Sequence, residues 1–208
     1  MNDRFLAPIF TVVRDWCTAS AEEKAQQGLD DKFEKLVWSA FRALGYDVVE
    51  LGHRQPFRRV PDGLAFSRPP LKSHGFILDA KLYQPYSIRT DDRTYIEYIH
   101  EFAPDFSRRG VDGFSLVIIA CSFAGEWDQN ILRIRDAAHA AGFSNVILLE
   151  TEALLYLVQG RTRCAAIGDD FFDKFHRNHQ AVVDVDTVRH FTTEWLATHA
   201  IGEIISSE

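Results

Sequence analysis

Apolar residues recur along the chain at two periods, and each change of period marks a new element. Ile9, Val12, Val13 and Trp16 follow Pro8, a residue suited to a first helical turn, and predict a helical lead-in within residues 1–30. The polar stretch 18–27 is expected to loosen. From Asp30 or Asp31, the residues Phe33, Leu36, Val37, Ala40, Phe41 and Leu44 form a helical stripe that stops at Gly45, a left-handed cap. Glu34 flanks that stripe. The period then shortens, and YDVVEL (46–51), DGLAFS (62–67) and GFILDAKLY (75–83) suit strands. Helical spacing returns over 90–103, with Asp91 and Asp92 favourably placed in the first turn and Pro104 expected to close it.

FSLVIIAC (114–121) is a continuous apolar run, the pattern of a strand buried on both faces. Trp127, Ile131, Ile134, Ala138 and Ala141 then predict a helix, and NVILL (145–149) a further strand. This strand–helix–strand unit should place its two strands parallel through a right-handed crossover. Thr151 is expected to cap a helix that ends at Gly160, and a last helix runs from about Asp186 to His199. The elements make an α/β domain with a mixed central sheet, a hairpin on one side and parallel strands on the other, flanked by helices.

At 208 residues and 46% hydrophobic, the chain is large enough for one full core. It has no apolar run of membrane-spanning length, and Met1-Asn2-Asp3-Arg4 lacks the pattern of a secretory signal, so a cytoplasmic location off the membrane is expected. Cys17, Cys121 and Cys164 fit neither zinc nor redox spacing and are expected to be reduced. With 23 basic and 30 acidic residues the net charge is -7, which excludes a protein that coats nucleic acid through a general positive field. Any such contact must be local. His53, Arg54, Arg58 and Arg59 form one cationic group, Arg108 and Arg109 a smaller one. His176 and His179 have helical spacing that suits a metal, but no third ligand accompanies them, and a solvated helix face is the simpler reading.

The hairpin carries the chemistry. If Phe66 faces Gly75, then Leu64 faces Ile77 and Asp62 faces Asp79, with Cβ atoms about 5 Å apart. Two carboxylates that close repel, and a divalent cation between them reverses the sign of the interaction. Alternation puts Lys81 on the same face as Asp79. Hard oxygen ligands without His or Cys favour Mg²⁺, and phosphodiester hydrolysis is the natural chemistry. Glu34, from its helix, can add a third carboxylate. The alternative for each feature alone is an Asp-Gly turn and a surface ion pair.

Pro61-Asp62, Asp79-Ala80-Lys81 and Glu34 resemble the signature of the PD-(D/E)xK nuclease superfamily. Within it the chain is similar to the cleavage domain of FokI-type restriction endonucleases over roughly residues 30–175. The likeness runs through ALGYDVVELG, PDGLAF, ILDAKLY, FSLVIIACSFAGEW and VILLETEALLYLVQG. The resemblance implies a restriction-endonuclease-like fold and Mg²⁺-dependent DNA cleavage, Mn²⁺ substituting, in a nuclease domain over 31–180 with helical extensions at 1–30 and 181–208. It implies a catalytic core of Asp62, Asp79 and Lys81 with Glu34 as the optional helical acid, the three acids holding the metal. His53, Arg54, Arg58, Arg59 and His74 are the candidate DNA contacts, with Tyr83 and Tyr86 bordering the cleft. It further implies a homodimer for double-strand cleavage through a helix at 91–102, where Arg93 and Glu97 can cross-pair. The flanks are too small for a separate recognition region, so target choice is expected to come from a partner, from the flanks or not at all. A nuclease component of a restriction or antiphage defence system is the leading expectation. The rivals are a structure-directed nuclease of repair, recombination or transposition, and a noncatalytic DNA-binding or assembly subunit on the same fold.

Overall fold

The computed structural model describes residues 7–52, 59–67, 73–111, 113–124, 129–161, 167–176 and 182–205. Its strands are β1 (Tyr46–Glu50), β2 (Gly63–Ser67), β3 (His74–Lys81), β4 (Gly113–Ala120), β5 (Asn145–Glu150) and β6 (Val182–Val183). They lie side by side in chain order in one sheet. β1, β2 and β3 are antiparallel, whereas β3 to β6 are parallel. The hairpin register is the expected one, with Phe66 facing Gly75 and Leu64 facing Ile77.

Alternation along the strands sorts their side chains into two cores. Phe76, Leu78, Val117, Ile119, Ile147 and Leu149 belong to the core shared with α1 (Ala7–Thr18), α3 (Leu29–Ala43), α6 (Thr151–Arg161), α7 (Ile167–His176) and α8 (Val185–Ile205). Ile77, Leu116, Ile118, Val146 and Leu148 belong to the core shared with α4 (Asp92–Arg108) and α5 (Gln129–Ala140). In the first core Phe76 meets Phe172 at 4.8 Å and Tyr46 at 5.2 Å between ring centroids. Each such aromatic pair adds about 1 kcal/mol beyond the area it buries. No described helix is long and apolar enough to cross a membrane.

Several expectations are corrected. Residues 18–27 do not loosen: α2 (Ala21–Gln27) forms behind a capping box in which the Ser20 hydroxyl accepts from Glu23 N–H and the Glu23 carboxylate accepts from Ser20 N–H. Pro104 lies inside α4. The carbonyl its ring leaves unpaired belongs to exposed His100, so water can satisfy it, while buried Phe106 stacks on Phe114 at 5.3 Å and holds the next turn. Thr151 begins α6 as a helical residue, and its hydroxyl donates to the Ala120 carbonyl at the end of β4. Gly160 stays helical because α7 packs there: an added Cβ would lie 3.4 Å from Ile167 Cδ1. The pattern also missed β6, whose two residues are too short to show a period.

Cys17 and Cys121 form a disulfide, with Cα atoms 6.0 Å apart, which overturns the expectation of reduced thiols for these two; Cys164 lies outside the described residues. The pairing joins residues 104 apart in sequence, and only the docking of α1 beside the end of β4 brings them together. Closing so long a loop stabilises a fold by about 2–4 kcal/mol. The Cys17→Ser variant is therefore expected to melt roughly 5–15 °C below the wild type under non-reducing conditions, read by circular dichroism. Equal melting temperatures would contradict the bond.

Candidate active site

β3 ends in Asp79-Ala80-Lys81, and alternation turns Asp79 and Lys81 toward the side of the sheet that α4 covers. Asp79 is 1% exposed. Its Oδ2 accepts from the Lys81 ammonium at 2.9 Å and from the Tyr95 hydroxyl at 2.9 Å. Asp62 is not a strand residue as expected but sits in a bend one position before β2, just beyond the last hairpin pair, Gly63 with Leu78. From there its Oδ2 accepts the Ala80 N–H at 2.6 Å, while its backbone carbonyl accepts from Leu51 and Gly52. Glu34 comes from the other face of the sheet, on α3, and is 7% exposed. Its carboxylate lies against Gly52, where an added Cβ would be only 2.8 Å from Oε2 and would push the carboxylate aside; φ at +26° further favours glycine there.

Burial, then the charge of Asp79, then that of Glu34, push the Asp62 carboxyl well above its usual range, against the opposing pull of the Ala80 N–H and Lys81. Burial also raises Asp79, which Lys81 and the Tyr95 hydroxyl partly offset. For Lys81 burial works downward, but Asp79, Asp62 and Asp91 outweigh it and hold the ammonium charged. The hairpin brings Asp62, Asp79 and Lys81 into one electrostatic group, to which Glu34 adds its charge from α3.

Its donors are hard oxygens, the set that suits Mg²⁺ bound through one or two carboxylates with water completing the shell. Asp62 and Asp79 each have Oδ2 occupied by protein donors, and neither Oδ1 has a hydrogen-bond donor among the described residues. Among the described residues no group of three or more acid, His or Cys side chains is arranged to hold a metal ion. The residues therefore fit a two-carboxylate site, and the expected three-acid cage with Glu34 is not assembled.

The other predicted residues scatter. His53, Arg54, Arg58 and His179 lie outside the described residues, as does the side chain of His176. Arg59 is exposed and donates to Thr94 Oγ1 at the start of α4, 3.2 Å away. His74 is buried at the opposite end of β3 from Lys81, with Nε2 3.9 Å from Asp173 Oδ1, so it does not join the group. Tyr83 is 58% exposed, with the Lys24 ammonium 5.8 Å from its ring. Arg93 and Glu97 are exposed on α4.

Sequence reasoning passed over Tyr95 and Tyr98. Both belong to the buried stripe of α4, and Tyr98 donates to the Val60 carbonyl at 2.9 Å, tying the helix to the segment before Asp62. Their spacing with Ile99, Phe102 and Phe106 marks the sheet-facing side of α4; hydroxyls on that stripe were the available signal.

The family model of the FokI cleavage domain matches residues 6–182. Among solved structures the chain is similar to restriction endonuclease FokI, with a TM-score of 0.54 and 20% identity, over 65% of this chain and 25% of that one. It is similar also to FokI bound to DNA, with a TM-score of 0.54 and 18% identity, over 82% of this chain and 29% of that one. The chain thus spans under a third of the length of either, and at these identities the structural likeness is one of fold. No curated protein matches it.

Asparagine at position 62 would keep an acceptor for the Ala80 N–H and remove the charge that burial and Asp79 oppose. A carboxyl raised in the folded state favours the fold below its ordinary value of 3.8 and loses that contribution as pH rises through the folded value. Metal-free Asp62→Asn is therefore expected to exceed the wild type in stability by about 1–2 kcal/mol at neutral pH, the gap closing toward pH ~4. Thermal melts in EDTA across that range read the difference; a constant gap would contradict the repulsion.

Proposed function

Because the chain belongs to the FokI cleavage-domain family, we propose that it is a divalent-metal-dependent DNA endonuclease of the type II restriction kind. The observation that carries this reading is half-buried Asp62 in electrostatic contact with buried Asp79, with the Lys81 ammonium on Asp79 Oδ2. A fold kept only for assembly has no use for an acid whose ionisation a neighbouring acid opposes, as Asp79 opposes that of Asp62. Asp62 and Asp79 would hold Mg²⁺, Mn²⁺ substituting, with Glu34 adding negative potential from α3. When bound, the cation would polarise a phosphoryl oxygen and lower the pKa of a bound water. Lys81 orients that water and offsets charge developing on the phosphate.

The same reading places catalysis in residues 31–180, with 1–30 and 181–208 as helical extensions. Cutting both strands takes two copies, which meet through α4 with Arg93 and Glu97 on the facing surface. DNA enters along Arg59 and the neighbouring cationic segment, including His53, Arg54 and Arg58. The chain spans only 25% and 29% of the two solved endonuclease chains; in this reading target choice comes from a partner, from the flanks or not at all. The role we assign is that of the nuclease component of a restriction or antiphage defence system. A cytoplasmic location is part of the proposal, and the Cys17–Cys121 bond, uncommon in a reducing compartment, is the observation that opposes it.

Supercoiled plasmid incubated with the protein and Mg²⁺ is expected to be nicked or linearised, and EDTA to stop the reaction. Asp79→Asn and Lys81→Ala should each lower the rate roughly 10³-fold. Cleavage that persists unchanged in both variants would remove the assignment.

A further inference from the structure

Asp79 is the end of a chain of hydroxyls that the cleavage reaction does not require. Its Oδ2 receives the Tyr95 hydroxyl at 2.9 Å. The Tyr86 hydroxyl lies 2.7 Å from that of Tyr95 and donates to Asp91 Oδ2 at 2.6 Å. Tyr95 is fully buried and Tyr86 nearly so, and the two come from different segments: Tyr95 from the second turn of α4, Tyr86 from the stretch between β3 and α4. With the Tyr95 proton engaged by Asp79, the proton between the two phenols can only be that of Tyr86, which has Tyr95 and Asp91 as its two oxygen neighbours and donates to one of them at a time. Tyr86 therefore bears on Asp79 only through Tyr95.

The geometry has a directional result. A carboxylate at the end of a strand can turn about χ2, a broad, roughly two-fold torsion. Here Lys81 and Tyr95 approach the same oxygen from the strand and from the helix, so rotation would break two hydrogen bonds at once. Oδ1 is the oxygen without a donor among the described residues. We infer that Tyr95, backed by Tyr86 and Asp91, is a positioning residue that fixes the Asp79 carboxylate with Oδ1 presented to the divalent cation. This rests on the nuclease reading and deepens it. Partners that orient a metal-binding carboxylate are worth about 10–100-fold in metal affinity or activity.

The test measures Mn²⁺ binding by the loss of free-ion electron paramagnetic resonance signal, without DNA or turnover, alongside circular dichroism melts. Tyr95→Phe is expected to fold and to weaken Mn²⁺ binding by about tenfold. Tyr86→Phe is expected to weaken it less, and the double variant to equal Tyr95→Phe, since Tyr86 acts through Tyr95. Unchanged binding in a folded Tyr95→Phe, or a Tyr86→Phe effect that survives in the Tyr95→Phe background, overturns the inference. So does a Tyr95→Phe chain that fails to fold, which would give the hydroxyl a purely structural role. A wild type that binds Mn²⁺ and cleaves plasmid while Tyr95→Phe matches it fails this inference alone. A wild type that does neither fails the nuclease reading as well.

Discussion

Asp62 is held beside buried Asp79, whose charge opposes its ionisation, and much of the architecture serves to keep the two acids in one corner. A loosely packed chain would relieve that by turning one side chain to water. Here each acid is anchored through Oδ2, Asp62 by the Ala80 N–H and Asp79 by Lys81 and Tyr95. The anchors are in turn fixed by the β2–β3 register, and slipping that register by one residue would send Asp79 to the opposite face.

The corner belongs to neither core alone. α3 lies against the core of Phe76 and Phe172 yet turns Glu34 toward Gly52 at the sheet's antiparallel end. α4 lies against the opposite core and supplies Tyr95. Lys81 pairs in register with Ala120, so the acids stand at the carboxyl ends of the parallel strands β3 and β4. Ligands of open α/β sheets gather at such ends, because the strands stop there and loops leave room. Both cores therefore bear on the site, and a cavity in either would be felt at Asp79 as a shift of its strand.

Most of this was legible where a residue's effect is local or periodic. The pairing of Phe66 with Gly75 and Leu64 with Ile77 followed from matching two apolar runs about a loop, and placed the acids together. What periodicity cannot carry is a contact made across the fold. Cys17 and Cys121 are joined because α1 docks beside the end of β4, and no spacing rule reaches that far. Tyr95 was passed over because its spacing is that of any buried position on α4; only the partner of its hydroxyl distinguishes it. Pro104 read as a helix end because the rule counts the lost hydrogen bond, whereas the burial of Phe106 two residues later outweighs it. His74 was taken as a candidate DNA contact bordering the cleft, although its strand position puts it at the far end of β3.

The amino-terminal helices bear on the site more directly than the word extension suggests. α2 has only seven residues, too few to be stable alone, and depends on its Ser20 and Glu23 cap and on its tertiary anchors. The main anchor is Lys24, whose ammonium donates to the Leu82 carbonyl at 2.8 Å and to the Cys17 carbonyl at 3.2 Å. Leu82 follows Lys81, and Cys121 follows Ala120, its partner in the sheet. One cation and one disulfide thus fasten α1 and α2 to the two residues that immediately succeed the site on adjacent strands. Strand ends fray first when their last carbonyls face water. Here the carbonyl after Lys81 is taken by Lys24 and the residue after Ala120 is covalently tethered, so the helices suppress fraying at the place where Lys81 must stay within 2.9 Å of Asp79.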